Sequence, residues 1–255
     1  MTVDIEKAKK EFLNYTNKFD LTNKNQKRKQ GHSLRVMGIS KEIAKKLNLS
    51  EEEIQLATLI GLLHDIARFE QYKQYQTFKD SQSFDHGDYA VMILERDLRK
   101  YIETDKYDNI IKKAIKNHNK YKIEDSLTEK ELLFAKIIRD ADKLDILYES
   151  VDIFWKGEEY KVEESKISLD ILNEFKEQKQ IKKQPGRKIQ PIDEIVLLIA
   201  FIFDMNFKVS FEILQKENYI NVILNRYHMS DKTSQTELEE IREIANQYIR
   251  DKINN

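Results

Sequence analysis

The chain has no cysteine, two prolines, six glycines and one tryptophan in 255 residues. The missing cysteines exclude disulfides and thiolate zinc sites, and they favour an intracellular address. The N-terminus, Met1-Thr2-Val3-Asp4-Ile5-Glu6-Lys7, lacks the apolar core of a signal peptide. The most apolar stretch, Ile195 to Phe203, is too short to cross a bilayer as a helix. The expectation is a cytoplasmic protein with no membrane partner. Charge of one sign is also lacking, because 44 basic residues face 45 acidic ones. A net charge of -1 creates no global field for nucleic acid, so any anion binding must be local.

A composition 40% hydrophobic and 35% charged supplies a core beneath a well-solvated surface. With so little glycine and proline, long stretches keep helical periodicity, and none alternates with period two. Helices are predicted at 4–17, 29–48, 51–67, 84–103, 107–119, 128–149, 166–179, 191–206, 208–226 and 232–252. Ser50 with Glu53 and Thr128 with Glu131 read as capping boxes. The expected class is all-α, with few strands or none. The clearest break is the polar run 176–190, which contains Pro185-Gly186 and the bases Lys179, Lys182, Lys183, Arg187 and Lys188. The expected organisation is a helical domain over 1–175, a basic loop over 176–190, and a helical extension over 191–255 packed on the same domain. Such a loop is ordinarily a solvated connector, though it could also close over an anionic substrate. Trp155, Phe201, Phe203, Phe207 and Phe211 have aliphatic neighbours and read as packing residues.

Four of the five histidines continue apolar stripes at helical spacing. His32 shares a face with Val36, Ile39 and Ile43, and His64 follows Ala57 and Ile60. His86 precedes Ala90, Ile93 and Leu94, while His118 follows Ile111, Ala114 and Ile115. Asp140 falls between Leu133 and Ile137 on one side and Leu144 and Leu147 on the other. A single histidine on an apolar face is ordinarily a core residue satisfied by a carbonyl. Four of them, with Asp65 beside His64 and Asp140 further on, would each need separate neutralisation. A metal centre neutralises them together. His228 lies near a helix end and reads as a surface or outer-layer residue.

Three segments carry a family resemblance: Gly31-His32-Ser33-Leu34-Arg35-Val36, Leu62-Leu63-His64-Asp65-Ile66-Ala67-Arg68-Phe69-Glu70 and Asp140-Ala141-Asp142-Lys143-Leu144-Asp145. In order and spacing they resemble the HD superfamily of metal-dependent phosphohydrolases over roughly residues 28–150. The resemblance implies a compact all-helical HD-type bundle and a divalent metal held by His32, His64, Asp65 and Asp140. It also implies that His86 and His118 hold a second ion bridged through Asp65. The alternative is a mononuclear site in which these two histidines bind substrate. One or two ions of Mn, Fe, Mg, Co, Ni or Zn are expected, the identity being open.

Among the remaining residues of these segments, Asp142 is turned about 200° from Asp140 at helical pitch. It is expected to face outward or to cap. Asp145 is expected behind a ligand histidine, orienting it through its N–H. Asp65, Arg68 and Lys143 are the candidate catalytic residues. Arg68 either holds a substrate phosphate or pairs with Asp65 or Glu70. Lys143 either faces phosphate or is simply solvated. The implied activity is hydrolysis of a small phosphate ester, a nucleotide or related compound. Two other activities share the ligands: a di-iron oxygenase and a nucleotide sensor without turnover. The oligomeric state is left open.

Overall fold

Helices begin where the sequence offers a side-chain acceptor to the orphan amides of a first turn. The computed structural model describes residues 3–152, 161–182 and 186–255. In it Asp4 caps α1 (Ile5–Thr16), Asn23 caps α2 (Lys24–Lys46), and Ser50 with Glu53 closes a capping box on α3 (Glu51–Leu63). There follow α4 (Ala67–Tyr75), α5 (His86–Asp97), capped by Asp85, α6 (Asp108–Asn117) and α7 (Glu129–Asp152). The chain is all-α, as the periodicity implied.

Contacts divide the chain into two units, residues 1–142 and 143–255. The division falls inside α7 and not in the basic stretch 176–190. The physical reason lies in α8 (Leu169–Lys176), which sits with the C-terminal helices. Phe175 lies edge-on to Phe203 at 4.9 Å, and Lys176 pairs with Glu240 at 2.9 Å.

In the first unit α3 is the central rod. Every residue from Leu56 to Leu63 is buried, because α1, α2 and α6 surround it. Phe69 of α4 packs its ring against Phe12, Tyr15 and Phe19. The start of α3 is also held by charge. The Glu53 carboxyl is lowered to about 2, first by its bond from Lys130 and then by the Ser50 hydroxyl. Its folded value lies below the unfolded one, so its stabilisation is complete above about pH 4.5 and is lost as the pH falls toward 2. Glu53→Gln should cost about 1 kcal/mol near neutrality in urea unfolding. The cost should shrink steadily on acidification, and a pH-independent loss would contradict the assignment.

The second unit contains α9 (Pro191–Ile199), α10 (Lys208–Glu217), α11 (Tyr219–Leu224) and α12 (Lys232–Asn254). The predicted helix 208–226 is split at Asn218, whose φ of 54° is left-handed. Buried Asp193 joins two helix starts, accepting from Ser168 N and Oγ and from Gln190 N. Strands β1 (Lys161–Glu163) and β2 (Tyr227–Met229) pair in parallel, Val162 opposite His228, and His228 is exposed. Phe203 and Phe211 both pack on Tyr248, as expected of core rings, while Trp155 lies outside the described residues. In the basic stretch, Lys183 to Pro185 likewise lie outside them. Arg187 is nearly buried between Asp170 and Glu174, which suits a tethered connector better than a closing lid. Among the described residues no helix is long and apolar enough to cross a membrane.

Candidate metal centre

The predicted helix 51–67 is interrupted at His64, Asp65 and Ile66, which form a turn between α3 and α4. Short-range bonds close it, from Ile66 N to the Leu63 carbonyl and from Arg68 N to the Asp65 carbonyl. The Tyr15 hydroxyl donates to the Ile66 carbonyl at 3.3 Å. The turn sits at the inner end of the buried rod, so His64 is wholly buried and Asp65 nearly so.

Two histidine pairs converge on this turn. His32 of α2 places Nε2 3.1 Å from His64 Nε2. His86, the first residue of α5, places Nε2 3.0 Å from Nε2 of His118 at the end of α6. Each approach depends on a glycine. A Cβ at Gly61 would lie 2.6 Å from Ser40 Oγ and 2.9 Å from the Val36 carbonyl, and one at Gly87 2.9 Å from the Lys116 carbonyl. Gly61→Ala and Gly87→Ala should each destabilise the protein by about 1–3 kcal/mol in urea unfolding. Unchanged midpoints would mean that these helices do not need such close contact.

Proton placement decides what the facing nitrogens want. His64 Nδ1 donates to the Gly61 carbonyl at 2.8 Å and His118 Nδ1 to the Ile115 carbonyl at 2.6 Å. His86 Nδ1 donates to Asp80 Oδ2 at 2.6 Å. A neutral ring with its proton on Nδ1 carries a lone pair on Nε2. In the His86–His118 pair, two lone pairs therefore face each other. Burial, reinforced by the Arg68 charge, lowers His86 to about 4, so this ring is neutral near neutral pH. Burial lowers His64 as well. Two nitrogens on one divalent cation, each about 2.1 Å from it, stand about 3 Å apart at a right angle. Both pairs have that spacing, and buried neutral imidazoles with carboxylates are a suitable donor set for a divalent metal.

Asp65 joins the pairs with one oxygen each. Oδ2 lies 3.4 Å from His32 Nε2 and 3.6 Å from His64 Nε2, while Oδ1 lies 3.5 Å from His86 Nε2 and 3.6 Å from His118 Nε2. Burial pushes this carboxyl upward, but Lys29, His64, His118 and Arg68 overcome that and hold it well below the usual range.

The α7 carboxylate at the first pair is Asp142. Its Oδ1 lies 3.1 Å from His32 Nε2 and 3.5 Å from His64 Nε2. Here too burial would raise the carboxyl, and the neighbouring His32 and His64 rings hold it well below the usual range. This corrects the expectation for Asp140, which is fully buried but outside the clusters His32–His64–Asp142 and His64–Asp65–His118. It also corrects the outward placement of Asp142. An apolar stripe selects one aspartate only where a helix has a single inward face. Residues 137–141 are all buried, more than a full turn, so burial cannot select between Asp140 and Asp142.

Sequence reasoning also missed several supporting residues. Lys29 Nζ lies 2.7 Å from Asp65 Oδ2 and is almost buried. Its signal was available, since it precedes His32 by one helical turn. Asp80, in the α4–α5 connection, left no periodic signal. Arg139 is buried, and its guanidinium donates to the carbonyls of Asn117 and Lys120 at the end of α6, which fixes His118.

Arg68 is tethered. Its Nη1 donates to Gln71 Oε1, the Phe78 carbonyl and Asp80 Oδ1, while Nε is buried without a hydrogen-bond acceptor, 3.5 Å from Asp65 Oδ1. Lys143 belongs to the second unit, where it is buried and paired with Asp204 at 2.7 Å beside the Phe201 ring. The solvated role expected for it does not describe that buried position. Asp145 is fully buried.

Residues 30–147 match the family model of the HD domain. No curated protein and no solved structure matches the chain.

Proposed function

We propose that this HD-domain chain is a metal-dependent phosphohydrolase that cleaves a small phosphate ester, of the nucleotide class, at a two-metal centre. The observation that carries the proposal is the division of the Asp65 carboxylate, with Oδ2 toward His32 and His64 and Oδ1 toward His86 and His118. His32, His64, Asp142 and Asp65 Oδ2 would hold one ion, and His86, His118 and Asp65 Oδ1 the other. When bound, such a pair supplies activation of water and neutralisation of charge on the phosphoryl oxygens.

The chain's own groups do the rest. Arg68, fixed through Nη1, presents an unsatisfied Nε–H beside Asp65, where a phosphoryl oxygen would satisfy it. Lys29 holds Asp65 in place from the opposite oxygen and adds positive charge next to the phosphate position. The carbonyls of Gly61 and Ile115 keep the protons of His64 and His118 on Nδ1, so that their Nε2 lone pairs stay available.

The test is reconstitution of metal-depleted protein with Mn, Fe, Mg, Co, Ni or Zn, followed by phosphate release from a panel of nucleotides and other phosphate monoesters. Metal-dependent phosphate release without oxygen uptake is expected. Oxygen consumption by the iron-loaded protein with no phosphate release, or tight nucleotide binding with no turnover in any metal, would overturn the proposal.

A further inference from the structure

The two histidine pairs differ in the carboxylate that reaches them. Asp142 serves the His32–His64 pair, in addition to Asp65 Oδ2. At the His86–His118 pair the described carboxylate is Asp65 Oδ1 alone, whose charge is shared with the first pair. An anion stands one bond further out instead. Asp80 Oδ2 accepts from His86 Nδ1 at 2.6 Å, whereas His64 and His118 rest on main-chain carbonyls. Four side chains fix the Asp80 carboxylate. His86 and Asn119 donate to Oδ2, and Arg68 and Gln71 donate to Oδ1. Arg68 and Gln71 lie on α4 and Asn119 just beyond α6, so the carboxylate is anchored from both sides of the connection that carries it.

A carboxylate behind an imidazole locks its tautomer and makes the opposite nitrogen a stronger donor to a cation. We infer that Asp80 is the positioning residue that gives the His86–His118 pair its hold on a second divalent cation. This rests on the two-metal reading of the site. Asp80 substitutes at a distance for the second carboxylate that Asp142 supplies directly at the other pair. Through Arg68 it also sets the place of the one guanidinium that borders Asp65 Oδ1. Occupancy of the second position and alignment of that cation therefore share one anchor.

Mn²⁺ titration of the full chain, by calorimetry and by the exchange-coupled Mn–Mn signal in electron paramagnetic resonance, tests this without measuring activity. The wild type should bind two Mn²⁺ per chain. Asp80→Asn, which keeps the shape and removes the charge, should leave the first affinity unchanged. The second should weaken by about 10–100-fold, with loss of the coupled signal at limiting Mn²⁺. Asp80→Glu should recover much of the second affinity. The retained first site shows that the variant has folded. Gln82→Ala changes an exposed side chain of the same connection that does not touch Asp80 and should leave the second affinity close to wild type. If Asp80→Asn binds both ions as tightly as wild type, or if Gln82→Ala weakens the second ion equally, the inference fails. A wild type that binds one Mn²⁺ with no coupled signal instead overturns the two-metal reading itself.

Discussion

Asp65→Ala should lower kcat/KM for phosphate-ester hydrolysis by about 10³-fold or more, the rate equivalent of several kcal/mol of lost metal-ion stabilisation. Metal content per chain should fall with it, while far-ultraviolet circular dichroism stays near wild type. The size of the effect follows from geometry, because Asp65 faces four imidazole nitrogens through its two oxygens and is also the partner of Lys29 Nζ. Removing the side chain leaves Lys29 nearly buried without that partner, so some loss of stability accompanies the loss of turnover. Asp65→Asn separates the two, since it keeps the volume and a hydrogen-bonding oxygen but not the charge. Full activity with undiminished metal content in Asp65→Ala would refute the metal reading of the His64-Asp65 turn.

A second large effect distinguishes two aspartates two residues apart. Asp142→Ala should weaken metal binding at the His32–His64 pair by more than about 100-fold, beyond the usual effect of removing an outer-layer partner, and should reduce turnover in parallel. Asp140→Ala should keep the metal stoichiometry. Its cost should fall on stability, because Asp140 is fully buried. Metal analysis after gel filtration, beside urea unfolding, reads both quantities. If Asp140→Ala loses the metal and Asp142→Ala keeps it, α7 presents its other face to the histidines and Asp142 is not a ligand.

That contrast also shows where sequence reasoning stopped. His32, His86 and His118 were legible because α2, α5 and α6 are amphipathic, and one apolar stripe then defines one inward direction. His64 was legible from its place at the end of an apolar run. The interruption after Leu63 was not, since no proline or glycine marks it and the backbone of His64 remains right-handed helical. Asp80 and Asn119 lie in connections, where spacing carries no directional information. Lys29 could have been read from its one-turn separation from His32, yet a lysine among Lys24, Lys27 and Arg28 looks like an ordinary solvated face.

By itself the sequence determined the helical class, the absence of thiolate or disulfide chemistry, and a set of histidines with one His-Asp pair on buried faces. These follow from composition and from the 3.6-residue period, which are local properties. Only the tertiary structure decided that Asp142 and not Asp140 meets the first histidine pair, that Asp65 divides its oxygens between the pairs, and that Asp80 stands behind His86. Each of those depends on how a helix is rotated or where a connection is anchored. A helix buried on all sides, as α3 and the middle of α7 are, carries no signal of its rotation in its own sequence. That rotation is set by the helices packed around it, as where Gly61 lets α3 approach α2 closely.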